Sequence, residues 1–207
     1  MKEKIVLKPT NTNPFKFSIV TAVYNVEAYL SEAIDSILSQ DIGFLESVEL
    51  ILVDDGSTDA SGAICDEYQH KYPENIVVIH EPNGGVASAR NAGIAVARGR
   101  YVNFMDSDDK LTPDTLSSVY DFFIEHDKEV DLVSVPIFYF EQKNEPHRLN
   151  YKYASDKAQV INLTTHYSYV QMSSASAFFK REALNDHTFR YLSSLCRRFQ
   201  GDHGTTF

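Results

Sequence analysis

The stretch Val48-Glu49-Leu50-Ile51-Leu52-Val53, closed by Asp54-Asp55-Gly56-Ser57-Thr58-Asp59, decides the fold. A run dominated by branched apolar residues reads as a strand buried on both faces, and the acids and small residues behind it end the run abruptly. Upstream, Phe17-Ser18-Ile19-Val20-Thr21-Ala22-Val23-Tyr24 is a similar run, broken by Asn25. Between the two, Leu30, Ala33, Ile34, Ile37 and Leu38 place one apolar stripe on a helix spanning Ala28 to Gln40. Downstream, Ser57 or Thr58 is expected to cap a helix carrying Ile64, Tyr68 and Tyr72. The alternation continues with a strand at Ile76-Val77-Val78-Ile79 and a helix from Val86 to Arg98, with Gly99 as its C′ residue. A strand at Tyr101-Val102-Asn103-Phe104-Met105, a helix at about Asp114 to His126 behind Pro113, and a strand beginning Leu132-Val133-Ser134-Val135 complete it. Strands separated by helices predict an α/β fold: a Rossmann-like, mostly parallel sheet flanked by helices. From about Glu141 the pattern loosens, and Tyr151 to Leu163 reads as a strand or two outside the alternation.

The chain of 207 residues is 43% hydrophobic, enough to fill one sizeable core. Lys plus Arg number 19 against 29 Asp plus Glu, a net charge of −10, which argues against a general binder of nucleic acid or anionic membranes. A phosphorylated small molecule stays open, because a divalent metal can hold phosphate against carboxylates. Cys65 and Cys196 lack metal-site spacing and read as buried free thiols; the seven histidines are scattered. Neither a signal peptide nor a run near the ~20 apolar residues of a bilayer span is visible, so the expectation is a cytoplasmic protein without a transmembrane segment, compatible with peripheral association at the inner face of the membrane.

Ligands of open parallel sheets bind beyond the carboxyl ends of the strands. Three such ends are polar here: Tyr24-Asn25, Asp54-Asp55 and Asp106-Ser107-Asp108-Asp109. So many acids require a counter-charge, and a hard divalent cation completed by phosphate oxygens is the economical one. No GxGxxG or GxxxxGK[ST] follows any strand, and HExxH and GxSxG are also missing, which removes dinucleotide oxidoreductases, P-loop NTPases and common hydrolases.

Taken together, Val23-Tyr24-Asn25 with Glu27, Val53-Asp54-Asp55-Gly56-Ser57-Thr58-Asp59, Gly84-Gly85-Val86-Ala87-Ser88-Ala89-Arg90-Asn91 and Asp106-Ser107-Asp108-Asp109 resemble the family 2 glycosyltransferases of GT-A fold over roughly residues 16–185. The resemblance implies an inverting transferase that moves a hexosyl or N-acetylhexosaminyl group from a nucleoside diphosphate sugar, most often a UDP-sugar, to a hydroxyl of a glycan, polymer or other acceptor. The family commonly serves capsule, teichoic acid or surface-glycan assembly. Ala22, Val23 and Tyr24 resemble the strand end lining the nucleobase, and Asp55 the acid accepting a uracil N–H. Arg90 resembles the basic residue reaching the nucleotide, with a structural salt bridge as its other reading. Glu27 belongs to the motif but reads better as a helix-start acid. Asp106-Ser107-Asp108 matches the DxD motif: Asp106 near ribose and metal, Ser107 beside it, and Asp108 the firmest ligand of a Mn2+ or Mg2+ ion. Asp109 is expected to support the loop or cap the next helix. Gly84-Gly85 leave room for close backbone approach.

Residues 1–14, ending in Thr10-Asn11-Thr12-Asn13-Pro14, read as a flexible lead-in; by the same resemblance 15–188 is the GT-A domain, with its nucleotide-sugar part at about 15–140 and the start of an acceptor part at about 141–188. An inverting transferase needs a general base. Ser174 to Leu184 resembles the stretch before the family's Glu-Asp motif, yet 189–207 departs from the pattern and Asp202 is only a weak candidate base. One codon choice for Leu195 to Gln200, read one base later, spells Tyr-Ala-Glu-Asp-Ser, so this atypical tail is expected to be truncated or out of frame. The competing reading is a non-catalytic nucleotide-sugar-binding module or an inactive fragment without its base.

Overall fold

The computed structural model describes residues 15–140, 158, 160–161 and 175–184. The expected strands at 151–163, the tail 189–207 and Asp202 lie outside, apart from three isolated positions.

Strand β1 (Phe17–Val23) leads through helix α1 (Leu30–Leu38) and a one-turn helix α2 (Phe44–Ser47) to strand β2 (Val48–Asp54). Helix α3 (Ser61–Lys71), strand β3 (Ile76–His80), helix α4 (Val86–Val96), strand β4 (Tyr101–Asp106), helix α5 (Thr115–Glu125) and strand β5 (Leu132–Ser134) follow. Strand β6 (Ala177–Lys180) is followed by a 3-10 turn, Arg181–Leu184. The sheet order is β3-β2-β1-β4-β6-β5. The first four strands are mutually parallel, whereas β6 pairs antiparallel with both β4 and β5. No helix among the described residues is long and apolar enough to cross a membrane.

Two apolar layers enclose the sheet, as the period-2 alternation of strand side chains requires. Phe17, Ile19 and Val23 of β1 pack with Leu30, Ile34 and Ile37 of α1 and with Leu116 and Phe123 of α5. On the other face Val20, Ile51, Val53, Val102 and Phe104 pack with Ala89 of α4. Gln40 is buried between α1 and α5; its Oε1 accepts the Leu116 N–H at 3.0 Å and its Nε2 donates to the Thr112 carbonyl at 2.8 Å.

Several helix ends differ from the sequence reading. Helix α1 begins at Leu30 rather than Ala28, because residues 27–29 form a turn. Helix α3 has Ala60 at its N-cap; neither Ser57 nor Thr58 caps it, and the Asp59 carboxylate instead accepts the Ser61 N–H at 2.9 Å. Helix α4 stops at Val96, with Ala97 extended, so Gly99 is not its C′ residue. Gly99 is needed for close approach: a Cβ there would sit 2.4 Å from the Ser18 backbone nitrogen. Asp109 does not cap α5, whose N-cap is Asp114.

Helix α4, which carries Arg90, reaches the sheet through Gly93, where a Cβ would lie 2.3 Å from Cγ1 of Val20. Val20 is β-branched, fully buried and unable to turn away. Gly93→Ala is therefore expected to lower stability by about 1–3 kcal/mol through overpacking, read as a fall in the urea midpoint at unchanged slope.

Candidate functional site

In the order β3-β2-β1-β4, β1 is the point from which the chain winds outward in both directions, which is where open α/β sheets place their ligand crevice. Register sets Ala22 beside Val53 and Asp106, and Val23 beside Asp54. The acidic ends of β2 and β4 thus stand on either side of the end of β1.

Each acid here has a distinct environment. Asp54 is almost fully buried; its carboxylate accepts the Ser57 N–H at 3.0 Å and lies 2.8 Å from Nδ1 of His80. Burial would raise its pKa, but bonds from Ser57 and His80 outweigh that and hold it below the usual 3.8. His80 also lies 3.0 Å from Asp66 through Nε2; the bonds to Asp54 and then to Asp66 raise its pKa above 6.5. Asp55, also buried, accepts the amides of Gly84 at 2.6 Å and Gly85 at 2.8 Å, one on each oxygen. Arg90, its side chain 11% exposed, donates through Nη2 to Asp106 Oδ1. Ser107 is buried and Asp108 exposed, while Asp109 has its pKa pushed up to about 6 by burial and then by Asp106 and Asp108.

The structure brings Tyr24, Asp55, Arg90, Asp106, Ser107 and Asp108 to one edge of the sheet. Tyr24 is 48% exposed, so its ring is open to a ligand, and Ala22 is partly exposed beside it. The Val23 side chain is in the core; Val23 faces the edge with its carbonyl, which accepts the Asp55 N–H at 2.9 Å. Glu27 is a helix-start acid, but of a different helix: its Oε2 accepts the Ala60 N–H at 2.7 Å, ahead of α3 rather than α1. Gly85 has φ +86° and nothing within 4 Å of a would-be Cβ, leaving open space over the Asp55 cradle. Cys65 is a buried free thiol, its pKa pushed up to about 12 by burial.

No group of three or more metal-ligating side chains occurs among the described residues. Asp106 and Asp108 nonetheless fit a Mg2+- or Mn2+-like ion, which is commonly held by one or two carboxylates together with phosphate oxygens and water. His80 and Gly84-Gly85, as partners of Asp54 and Asp55, were not legible beforehand; each pairing joins residues 26 to 30 apart in sequence.

A mostly parallel sheet with an antiparallel β6-β5 margin, bearing acids at the carboxyl ends of its inner strands, defines a GT-A domain. The wider comparison agrees: residues 18–188 match the family described as Glycosyl transferase family 2, and the chain belongs to that family. It is similar to the minor teichoic acid biosynthesis protein GgaB of Bacillus subtilis, 45% identical over 175 residues covering 84% of this chain and 19% of GgaB. GgaA of the same organism is 38% identical over 170 residues, covering 81% of this chain and 38% of GgaA. Among solved structures, residues 1–349 of S. aureus TarS in complex with UDP superpose with a TM-score of 0.71 at 26% identity, over 89% of this chain and 54% of that one. The chain therefore spans well under half the length of GgaB and GgaA and about half of the TarS fragment.

The His80 bonds carry a definite sign. A raised histidine pKa stabilises fully below the unfolded value of 6.5 and is lost as pH rises through the folded value; the lowered Asp54 pKa stabilises above 3.8 and is lost as pH falls through its folded value. Urea midpoints of wild type and His80→Gln should differ most between about pH 4 and 6.5, and the difference should shrink as pH rises above 6.5 through the folded His80 value.

Proposed function

We propose that this chain is the donor-binding part of an inverting glycosyltransferase that takes a UDP-sugar and glycosylates a hydroxyl of a teichoic acid or related surface polymer. The observation that carries the reading is the convergence, at one sheet edge, of an open Tyr24 ring, a cradled Asp55 carboxylate and the Arg90–Asp106 pair beside an exposed Asp108. The names of GgaB and GgaA support the acceptor class, and the TarS structures with UDP and with UDP-GlcNAc support the donor class.

Tyr24 packs on the base through its ring. Asp55 spends one acceptor direction of each oxygen on Gly84 and Gly85, and a carboxylate has about four such directions, so it can still accept the imide N–H of uracil. Arg90 brings its charge to the nucleotide while keeping Asp106 oriented. Asp106 and Asp108 hold the divalent cation, which when bound supplies positive charge where the departing diphosphate gains negative charge. The acceptor proton requires a base, and the only candidate among the last residues, Asp202, lies outside the described part.

Calorimetry with UDP tests this. Wild type should bind at least about tenfold, or ~1.4 kcal/mol, more tightly with Mn2+ present. Asp108→Ala should lose that increment while keeping metal-free binding, and Asp55→Ala should weaken both. Absence of UDP binding, or binding indifferent to Mn2+ and to Asp108→Ala, overturns the reading.

A further inference from the structure

The loop after β1 and the loop after β2 are joined by reciprocal bonds between residues more than thirty positions apart. The Asn25 N–H donates to Ser57 Oγ at 3.1 Å, and Asn25 Oδ1 accepts the Thr58 N–H at 2.8 Å. Asn25 holds φ at +51°, a left-handed conformation that asparagine tolerates. The Val26 N–H donates to Ser61 Oγ at 2.9 Å. Two carboxylates then close the set: Asp59 Oδ2 accepts the Glu27 N–H at 3.1 Å, and Glu27 Oε2 accepts the Ala60 N–H at 2.7 Å. The other Asp59 oxygen takes the Ser61 N–H at 2.9 Å. This is a capping box assembled from two loops instead of one helical turn. One of these loops begins at Tyr24 and the other at Asp55.

We propose that Glu27 and Asp59 are positioning residues: they lock the two loops together and so fix Tyr24 and Asp55 relative to each other for the nucleobase, with neither carboxylate touching the donor. The proposal rests on the donor-binding reading. Its chemistry makes an asymmetric demand. Glu27 uses one oxygen as an acceptor of a neutral amide, so a carboxamide can replace it. Asp59 uses both oxygens, so a carboxamide cannot.

UDP calorimetry and amide hydrogen exchange on the full chain test it together. Glu27→Ala should weaken UDP binding about tenfold, the equivalent of one lost hydrogen bond from an amide to a carboxylate. It should also speed exchange at Ala60 and at Thr58, an amide that Glu27 does not touch, while β2 amides stay protected as the check on folding. Glu27→Gln should restore both readouts, whereas Asp59→Asn should remain impaired. Equal weakening by Glu27→Gln and Glu27→Ala would mean that the charge itself meets the donor, which overturns the proposal. So would a Glu27→Ala variant that binds UDP as wild type does. A wild-type chain that binds no UDP removes the donor reading and this proposal with it, an outcome distinct from failure of the clasp alone.

Discussion

Negative charge crowded at the carboxyl edge of the sheet is the constraint around which the rest of the structure is arranged. Strand order sets the acids of β2 and β4 on either side of β1, two strand spacings or ~10 Å apart, so each group of acids needs compensation close at hand. The compensation is local and differs from acid to acid. Asp54 has His80 from β3, Asp55 has two amides from the loop before α4, Asp59 has amides from α3 and the β1 loop, and Asp106 has Arg90 from α4. Each partner comes from the element that the parallel winding delivers next to that strand end. The electrostatic requirement and the topology are therefore satisfied by the same placements.

The opposite edge shows a carboxylate used differently. Glu49, fully buried near the start of β2, accepts from Ser18 Oγ at 2.7 Å, from the Arg98 N–H at 2.9 Å and from Arg98 Nε at 2.6 Å. The Gly99 N–H in turn donates to Ser18 Oγ at 2.7 Å. That network ties the exit of α4 to the entry of β1 and leaves the carboxylate no outlet to a ligand. At the carboxyl edge, by contrast, Asp106 and Asp108 keep exposed surface, and Asp55 keeps unused acceptor directions. An acid's role follows from which end of its strand it occupies.

Much of this was legible in the sequence, for a physical reason. Parallel strands buried on both faces leave unbroken apolar runs, so β1, β2 and β4 were placed to within a residue, as was the half-buried edge strand β3, and the acids that end β2 and β4 marked the site edge. Helix ends were less legible: the acceptor of the Ala60 N–H at the start of α3 is Glu27, from the loop after β1 and 33 residues away, which no local capping pattern reveals. Strand β6 escaped because Ala177-Phe178-Phe179-Lys180 is short and earns its place by pairing with β4, more than seventy residues away. The side chain of Val23 shows how motif and geometry part: it belongs to the motif by position and to the core by alternation.

The expectation that so many acids require a counter-charge was met largely by the protein itself, and this sharpens what remains. His80, Arg90 and backbone amides satisfy Asp54, Asp55, Asp59 and Asp106, and the pKa values of Asp54 and Asp59 fall accordingly. Asp109 moves the other way, held up at about 6 by burial and by its neighbours Asp106 and Asp108. Among the described acids of this edge, the neighbour repulsion that lifts a carboxyl pKa therefore falls on Asp109, behind the Arg90-paired Asp106 and the exposed Asp108. Charge counting along the sequence points to a cation somewhere near the strand ends. The cation proposed above would accordingly stand at the Asp106–Asp109 turn, where the Asp108 carboxylate is exposed and positive charge would offset the repulsion felt by Asp109.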